Sequence, residues 1–133
     1  MKQMEMEGRS RKNLGDMGEK VAMDFLISNG YRIVTQNFRF SRLGEVDIIA
    51  RESEYICFIE VKTRSNMIFG FPSESVTKRK QLNIIKLAQI YLKKYNLKNV
   101  NVRFDVVEVL VKKNNNGENI YNINLIRNAF QLH

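Results

Sequence analysis

Apolar residues Leu14, Met17, Val21, Ala22, Phe25 and Leu26 recur every three or four positions, the spacing that lines one face of an α-helix. The pattern predicts a helix from Leu14 to about Asn29, with Gly30 as its C-terminal stop. The period then changes. Tyr31–Phe40 reads as a strand ended by Ser41-Arg42-Leu43-Gly44, and Glu45–Arg51 and Tyr55–Thr63 as two more strands joined by a tight turn near Glu52–Glu54. A loop containing Gly70 and Pro72 leads to a long helix from about Thr77 to Tyr95, whose stripe is Gln81, Ile84, Ile85, Ala88, Tyr91, Leu92 and Tyr95. Val100–Val111 is a strand, Asn114-Asn115-Asn116-Gly117 a turn, and Ile120–Ile126 a final strand. The order α-β-β-β-α-β-β predicts one α/β domain over residues 13–133: a mixed sheet with at least one helix on each face. Residues 1–12 are polar, mixed in charge and expected to form a mobile arm.

The third strand carries an anomaly. Side chains alternate between faces, so Cys57, Ile59 and Val61 share one face and Ile56, Phe58, Glu60 and Lys62 the other. Both faces are largely apolar, which marks a central strand, yet it ends with a carboxylate and an ammonium side by side. Buried charges are costly unless partnered. If the hairpin closes with Arg51 opposite Ile56, Asp47 stands opposite Glu60, with Cα atoms about 4.5–5.5 Å apart. Like charges in that position repel, and a divalent cation between them removes the penalty. All-oxygen donors suit Mg²⁺ or Mn²⁺. The plainer alternative is an ordinary ion pair between Glu60 and Lys62, with Asp47 a solvated edge residue, and a one-residue register shift would move Asp47 to the other face.

Composition narrows the chemistry. Of 133 residues one is cysteine (Cys57) and one histidine (His133), which excludes an intramolecular disulfide, a Cys/His metal cage and a Ser-His-Asp triad. Chemistry is left to carboxylates, lysines, hydroxyls and an oxygen-preferring metal. The 22 Lys+Arg against 14 Asp+Glu give a net charge of +8, which suits a polyanionic partner. No apolar run approaches the roughly 18–20 residues of a membrane span and the first residues do not read as a secretory signal, so the expected compartment is the cytoplasm.

Gly44-Glu45-Val46-Asp47-Ile48-Ile49-Ala50 followed by Phe58-Ile59-Glu60-Val61-Lys62-Thr63-Arg64 resembles the PD-(D/E)XK nuclease signature and, more narrowly, the small bacterial YraN-like family. The likeness extends through Gly15-Asp16-Met17-Gly18-Glu19, Ser75-Val76-Thr77-Lys78-Arg79-Lys80-Gln81, Arg103-Phe104-Asp105-Val106-Val107 and Asn128-Ala129-Phe130. Val46 stands where the signature's proline would be. The superfamily includes restriction endonucleases and archaeal-type Holliday junction resolvases. The resemblance implies a restriction-endonuclease-like αβββαβ core and a catalytic set of Glu19, Asp47, Glu60 and Lys62. It further implies an endonuclease acting on DNA rather than RNA, branched DNA included, and for a resolvase a symmetric homodimer. Expected roles are Mg²⁺ or Mn²⁺ binding by Asp47, Glu60 and the Val61 carbonyl, with Lys62 orienting a water or stabilising phosphate charge. The alternative is a nucleic-acid-binding module that keeps the fold without turnover.

Glu19 has a rival role in a capping box, Asp16-Met17-Gly18-Glu19, unless Asn13 caps the helix instead. Between Ser75 and Arg103 stand eight basic residues (Lys78, Arg79, Lys80, Lys86, Lys93, Lys94, Lys98, Arg103) and no acid. Three of them occupy the helix's first turn, where the dipole disfavours cations and where a bound phosphate would reverse that sign. Lys78, Arg79 and Lys80 are therefore candidate phosphate contacts, with Lys80 in phase with Ile84 and turned toward the sheet. Arg39, Arg42 and Arg64 are candidates to extend the track. Cys57 is assigned to the core, Tyr91 and Tyr95 to packing, and Asp105 to a structural ion pair.

Overall fold

The computed structural model describes residues 2–65 and 76–131, with side chains from Asn13 onward. The loop at Gly70 and Pro72 and the side chains of the expected arm lie outside the described residues. Helix α1 runs Lys2–Ser28, beginning well before the Leu14 start that the apolar stripe predicts. Strands β1 (Arg32–Arg39), β2 (Glu45–Glu52) and β3 (Tyr55–Arg64) follow. A single 3₁₀ turn, Ser41–Leu43, separates the first two. Helix α2 (Lys78–Lys94) precedes β4 (Asn101–Lys113) and β5 (Asn119–Phe130). The order is the predicted one, with β5 longer at its C-terminal end than the expected Ile120–Ile126.

Five strands form one sheet in the order β1-β2-β3-β4-β5. Neighbours are antiparallel except β3 and β4, which are parallel. A parallel pair needs a crossover, and α2 supplies it. Each helix ends where an αL residue lets late amides turn back. At Gly30 (φ 91°) Tyr31 N–H donates to Leu26 O at 2.9 Å; at Asn96 (φ 53°) Leu97 N–H donates to Leu92 O at 2.8 Å.

β3 sits in the middle, and its alternation divides the core. Ile56 and Phe58 join Ile84, Leu87, Ala88 and Tyr91 on the α2 face, whereas Cys57, Ile59 and Val61 join Ala22, Leu26, Val107 and Val109 on the α1 face. A helix thus covers each face. The result is a mixed α/β fold consistent with a restriction-endonuclease-like core. Leu87, absent from the predicted α2 stripe, is fully buried, while Tyr95 is 52% exposed. Among the described residues no helix is long and apolar enough to cross a membrane.

Candidate active site

The hairpin register is the predicted one: pairs run from Glu52↔Tyr55 through Arg51↔Ile56 to Ile48↔Ile59. Beyond that the ladder stops. Asp47 is drawn toward β3 by its side chain, since Val61 N–H donates to Asp47 Oδ2 at 2.8 Å. Regular alternation would put Val46 and Ile48 on one face, yet Val46 packs in the α2-side core and Ile48 in the α1-side core. The chain therefore twists at Asp47. Its neighbour strand is irregular at the same level, with Asn37 at φ 53° between the pairs Gln36↔Ile48 and Phe38↔Val46.

Where the strands part, a cleft of about 380 Å³ opens, and both helices reach it. α1 contributes Leu14, Gly15 and Glu19; β2 contributes Glu45 and Asp47; β3 contributes Glu60, Val61 and Thr63; α2 contributes Lys80. The approach of α1 depends on Gly18, where an added Cβ would overlap the Thr63 side chain. Because α1 is continuous through Asn13 and Asp16, neither residue caps a helix start. The capping-box role of Glu19 is thereby lost, and its carboxylate instead lines the cleft.

Glu19, Glu45 and Asp47 bring carboxylate oxygens within 4.8 Å of one another. Glu60 adjoins this set through Asp47: when Glu60 is protonated it hydrogen-bonds to the Asp47 carboxylate. Asp47 is 7% and Glu60 4% exposed. Burial first, then the charge of Asp47, pushes Glu60 up to about 8, against partial relief from Lys80 and Lys62. Burial, Asp47 and Glu45 push Glu19 up to about 7. Asp47 is also raised, mainly by burial, although the Val61 N–H works in the opposite direction. Glu60 Oε2 is buried without a hydrogen-bond partner. Crowded carboxylates with a spare buried oxygen and no soft donor are the kind of set that a hard divalent cation can satisfy.

The basic residues divide. Lys62 Nζ is 3.9 Å from Glu60 Oε1 and Lys80 Nζ 3.8 Å from Glu60 Oε2; Lys80 lines the cleft and Lys62 does not. Lys78 and Arg79 are exposed in the first turn of α2, where the Thr77 hydroxyl caps the helix by accepting from Lys80 N–H at 3.1 Å. Arg42 is exposed in the 3₁₀ turn and Arg64 half-buried at the end of β3. Arg39 is exposed, and its Nε donates to Glu45 Oε2 at 3.0 Å.

Arg103, the last of the eight basic residues between Ser75 and Arg103, is engaged by acids within the fold. It holds Asp105 through Nε at 2.9 Å and a terminal nitrogen at 2.8 Å, and donates to Glu52 at 2.6 Å. Tyr31 O–H and Asn128 N–H complete the shell of Asp105 at 2.8 and 2.9 Å, so Asp105 is the structural ion pair expected of it. Cys57 is fully buried, and burial followed by the Asp105 charge pushes its thiol up to about 12, as fits a core residue. Sequence reasoning missed Glu45 as a member of the acid cluster. The available signal was its spacing of two from Asp47.

A five-stranded mixed sheet with a helix on each face, opened at one end by acids from three elements, defines an α/β protein with a carboxylate-lined cleft. The sequence profile of the uncharacterised protein family UPF0102 matches residues 18–109, a span that includes Glu19, Glu45, Asp47, Glu60, Lys62 and Lys80. A UPF0102 protein of Acetivibrio thermocellus is 50% identical over 121 residues, covering 91% of this chain and 93% of the relative. Another from Clostridium botulinum (strain Loch Maree) is 47% identical over 122 residues (91% and 96%), and one from Caldicellulosiruptor saccharolyticus 46% over 121 (91% and 99%). The chain belongs to the UPF0102 family.

Proposed function

We propose that the protein is a Mg²⁺- or Mn²⁺-dependent endonuclease of the PD-(D/E)XK type that hydrolyses phosphodiester bonds in DNA, branched DNA included. The observation that carries this reading is Glu60. A carboxylate 4% exposed, pressed against Asp47 and with one oxygen that takes no hydrogen bond and faces only the Lys80 ammonium at 3.8 Å, is a costly arrangement that a bound cation would complete.

Asp47 and Glu60 would hold the cation, joined by the Val61 carbonyl and by Glu19 from α1 or Glu45 from β2. Bound there, Mg²⁺ supplies Lewis acidity at a phosphate oxygen and lowers the pKa of a coordinated water. Val61 N–H fixes the Asp47 carboxylate from the opposite strand, so its geometry is set before substrate arrives. Glu19, which lines the cleft beside Asp47, would take the proton of the attacking water. As the water oxygen bonds to phosphorus, the P–O ester bond breaks and the departing oxygen takes a proton from solvent water. Lys62 and Lys80 flank Glu60 and offer positive charge to the phosphate oxygens in the transition state. Lys78, Arg79, Arg39, Arg42 and Arg64 would hold flanking phosphates, with the α2 N-terminus assisting. DNA is preferred to RNA through the resemblance to restriction endonucleases and junction resolvases, and a four-way junction would call for a homodimer.

One observation favours the alternative of a non-catalytic nucleic-acid-binding module: Lys62 stands outside the cleft lining. Incubation with linear, forked and four-way-junction DNA in Mg²⁺, Mn²⁺ or EDTA separates the two. The nuclease reading expects metal-dependent cuts that vanish in the Asp47→Ala, Glu60→Ala double variant. DNA binding without cleavage under any metal, unchanged in that variant, leaves the binding module.

A further inference from the structure

The two cations beside Glu60 are not equivalent. Lys62 leaves from the same strand as Glu60 and stays outside the cleft lining. Lys80 arrives from the first turn of α2, lines the cleft, and places Nζ 3.8 Å from Glu60 Oε2. Among the described residues, that oxygen is the one buried side-chain oxygen or nitrogen with no hydrogen bond. At 3.8 Å an ammonium neutralises charge without forming a hydrogen bond. Lys80 therefore balances the acid and leaves its oxygen open to a ligand.

We propose that Lys80 is the exchangeable counter-ion of the acid pair: it sits against Glu60 while the pair is metal-free, and turns to a substrate phosphate once Glu60 is given over to a divalent cation. This rests on the metal-dependent reading above. An ammonium and a divalent cation at one carboxylate oxygen repel each other strongly in a partly desolvated cleft, so Lys80 has to yield. It has room to do so. Thr77 anchors its backbone N–H, while the side chain is one-third exposed. Gly44 does not obstruct it, since even an added Cβ there would stand 4.0 Å from Lys80 Nζ. Lys78 and Arg79 do not line the cleft and are not held by Glu60.

A contact that exists only after cation loading has its own signature. Binding of a fluorescein-labelled 20-base-pair DNA duplex is followed by anisotropy in Ca²⁺ and, separately, in EDTA, for wild type, Lys80→Met and Lys78→Met. Lys80→Met is expected to lose about tenfold in affinity in Ca²⁺ and less than about twofold in EDTA, where the wild-type lysine is still held by Glu60. Lys78→Met is expected to lose the same factor in both. Thermal shift by Ca²⁺ shows that Lys80→Met still loads the cation, and Lys80→Gln repeats the test with a polar side chain. Equal losses in both buffers make Lys80 a plain phosphate contact and overturn the exchange, as does no loss in either. A wild-type protein with no Ca²⁺ thermal shift overturns the metal reading itself and the exchange with it.

Discussion

Replacing Glu60 with glutamine keeps the shape of the side chain and its hydrogen bond to Asp47, and removes one charge from the most crowded point of the cleft. The protonated acid is held more tightly in the folded chain, about 8, than at the ordinary 4.5. The stabilisation from that proton is complete below pH 4.5, falls as pH rises from 4.5 to about 8, and is gone above it. Each pH unit in that window is worth about 1.4 kcal/mol, so the upper bound is roughly 5 kcal/mol. Asp47 shares the proton and two lysines share the charge, so about half of that, 2–3 kcal/mol, is the working magnitude. Urea unfolding in EDTA is then expected to find Glu60→Gln within about 1 kcal/mol of wild type at pH 5.5 and more stable by about 2–3 kcal/mol at pH 8.5. Mn²⁺ should invert the order at pH 8.5, since the wild type gains a bound ligand and the variant loses half of the acid pair. A variant no more stable than wild type at pH 8.5 in EDTA would refute the claim that Glu60 is strained by burial and by Asp47.

Gly18→Ala should push α1 off β3 at Thr63 and destabilise the protein by about 1–3 kcal/mol; Thr63→Ala, which removes the atoms that overlap most closely, should recover part of the loss in the same denaturation assay. Asp105→Ala should cost about 1–3 kcal/mol by leaving Tyr31 O–H and Asn128 N–H without their acceptor and Arg103 with Glu52 as its remaining carboxylate, read as a lower urea midpoint, while the Mn²⁺ thermal shift of the folded protein persists because Asp105 does not line the cleft. Removing Lys78 and Arg79 together should flatten the slope of log K against log salt for duplex DNA by about 1.8, and an unchanged slope would show that neither touches a phosphate.

How far the sequence could be read depended on how far apart the interacting groups lie along the chain. The β2–β3 register was legible because a two-residue turn fixes it locally, and β3's two apolar faces marked it as central. The early start of α1 was not, because its first residues carry no apolar stripe to mark a face. Glu45 was hidden for a related reason. Its spacing from Asp47 was visible, but the acid that completes the trio, Glu19, reaches it only because α1 packs closely on β3 at Gly18. Long-range pairing also sets the surroundings of Arg103. The stretch from Ser75 to Arg103 holds no acid, while Glu52, fifty-one residues away, and Asp105, two residues on, neutralise Arg103 in the fold. Helical phase was the better guide to charge. Lys78, Arg79 and Lys80 are consecutive and chemically alike, yet only Lys80 falls in phase with the buried Ile84, and only Lys80 of the three lines the cleft. A basic run locates a surface; the member of the run that shares the phase of the core is the one directed at the chemistry.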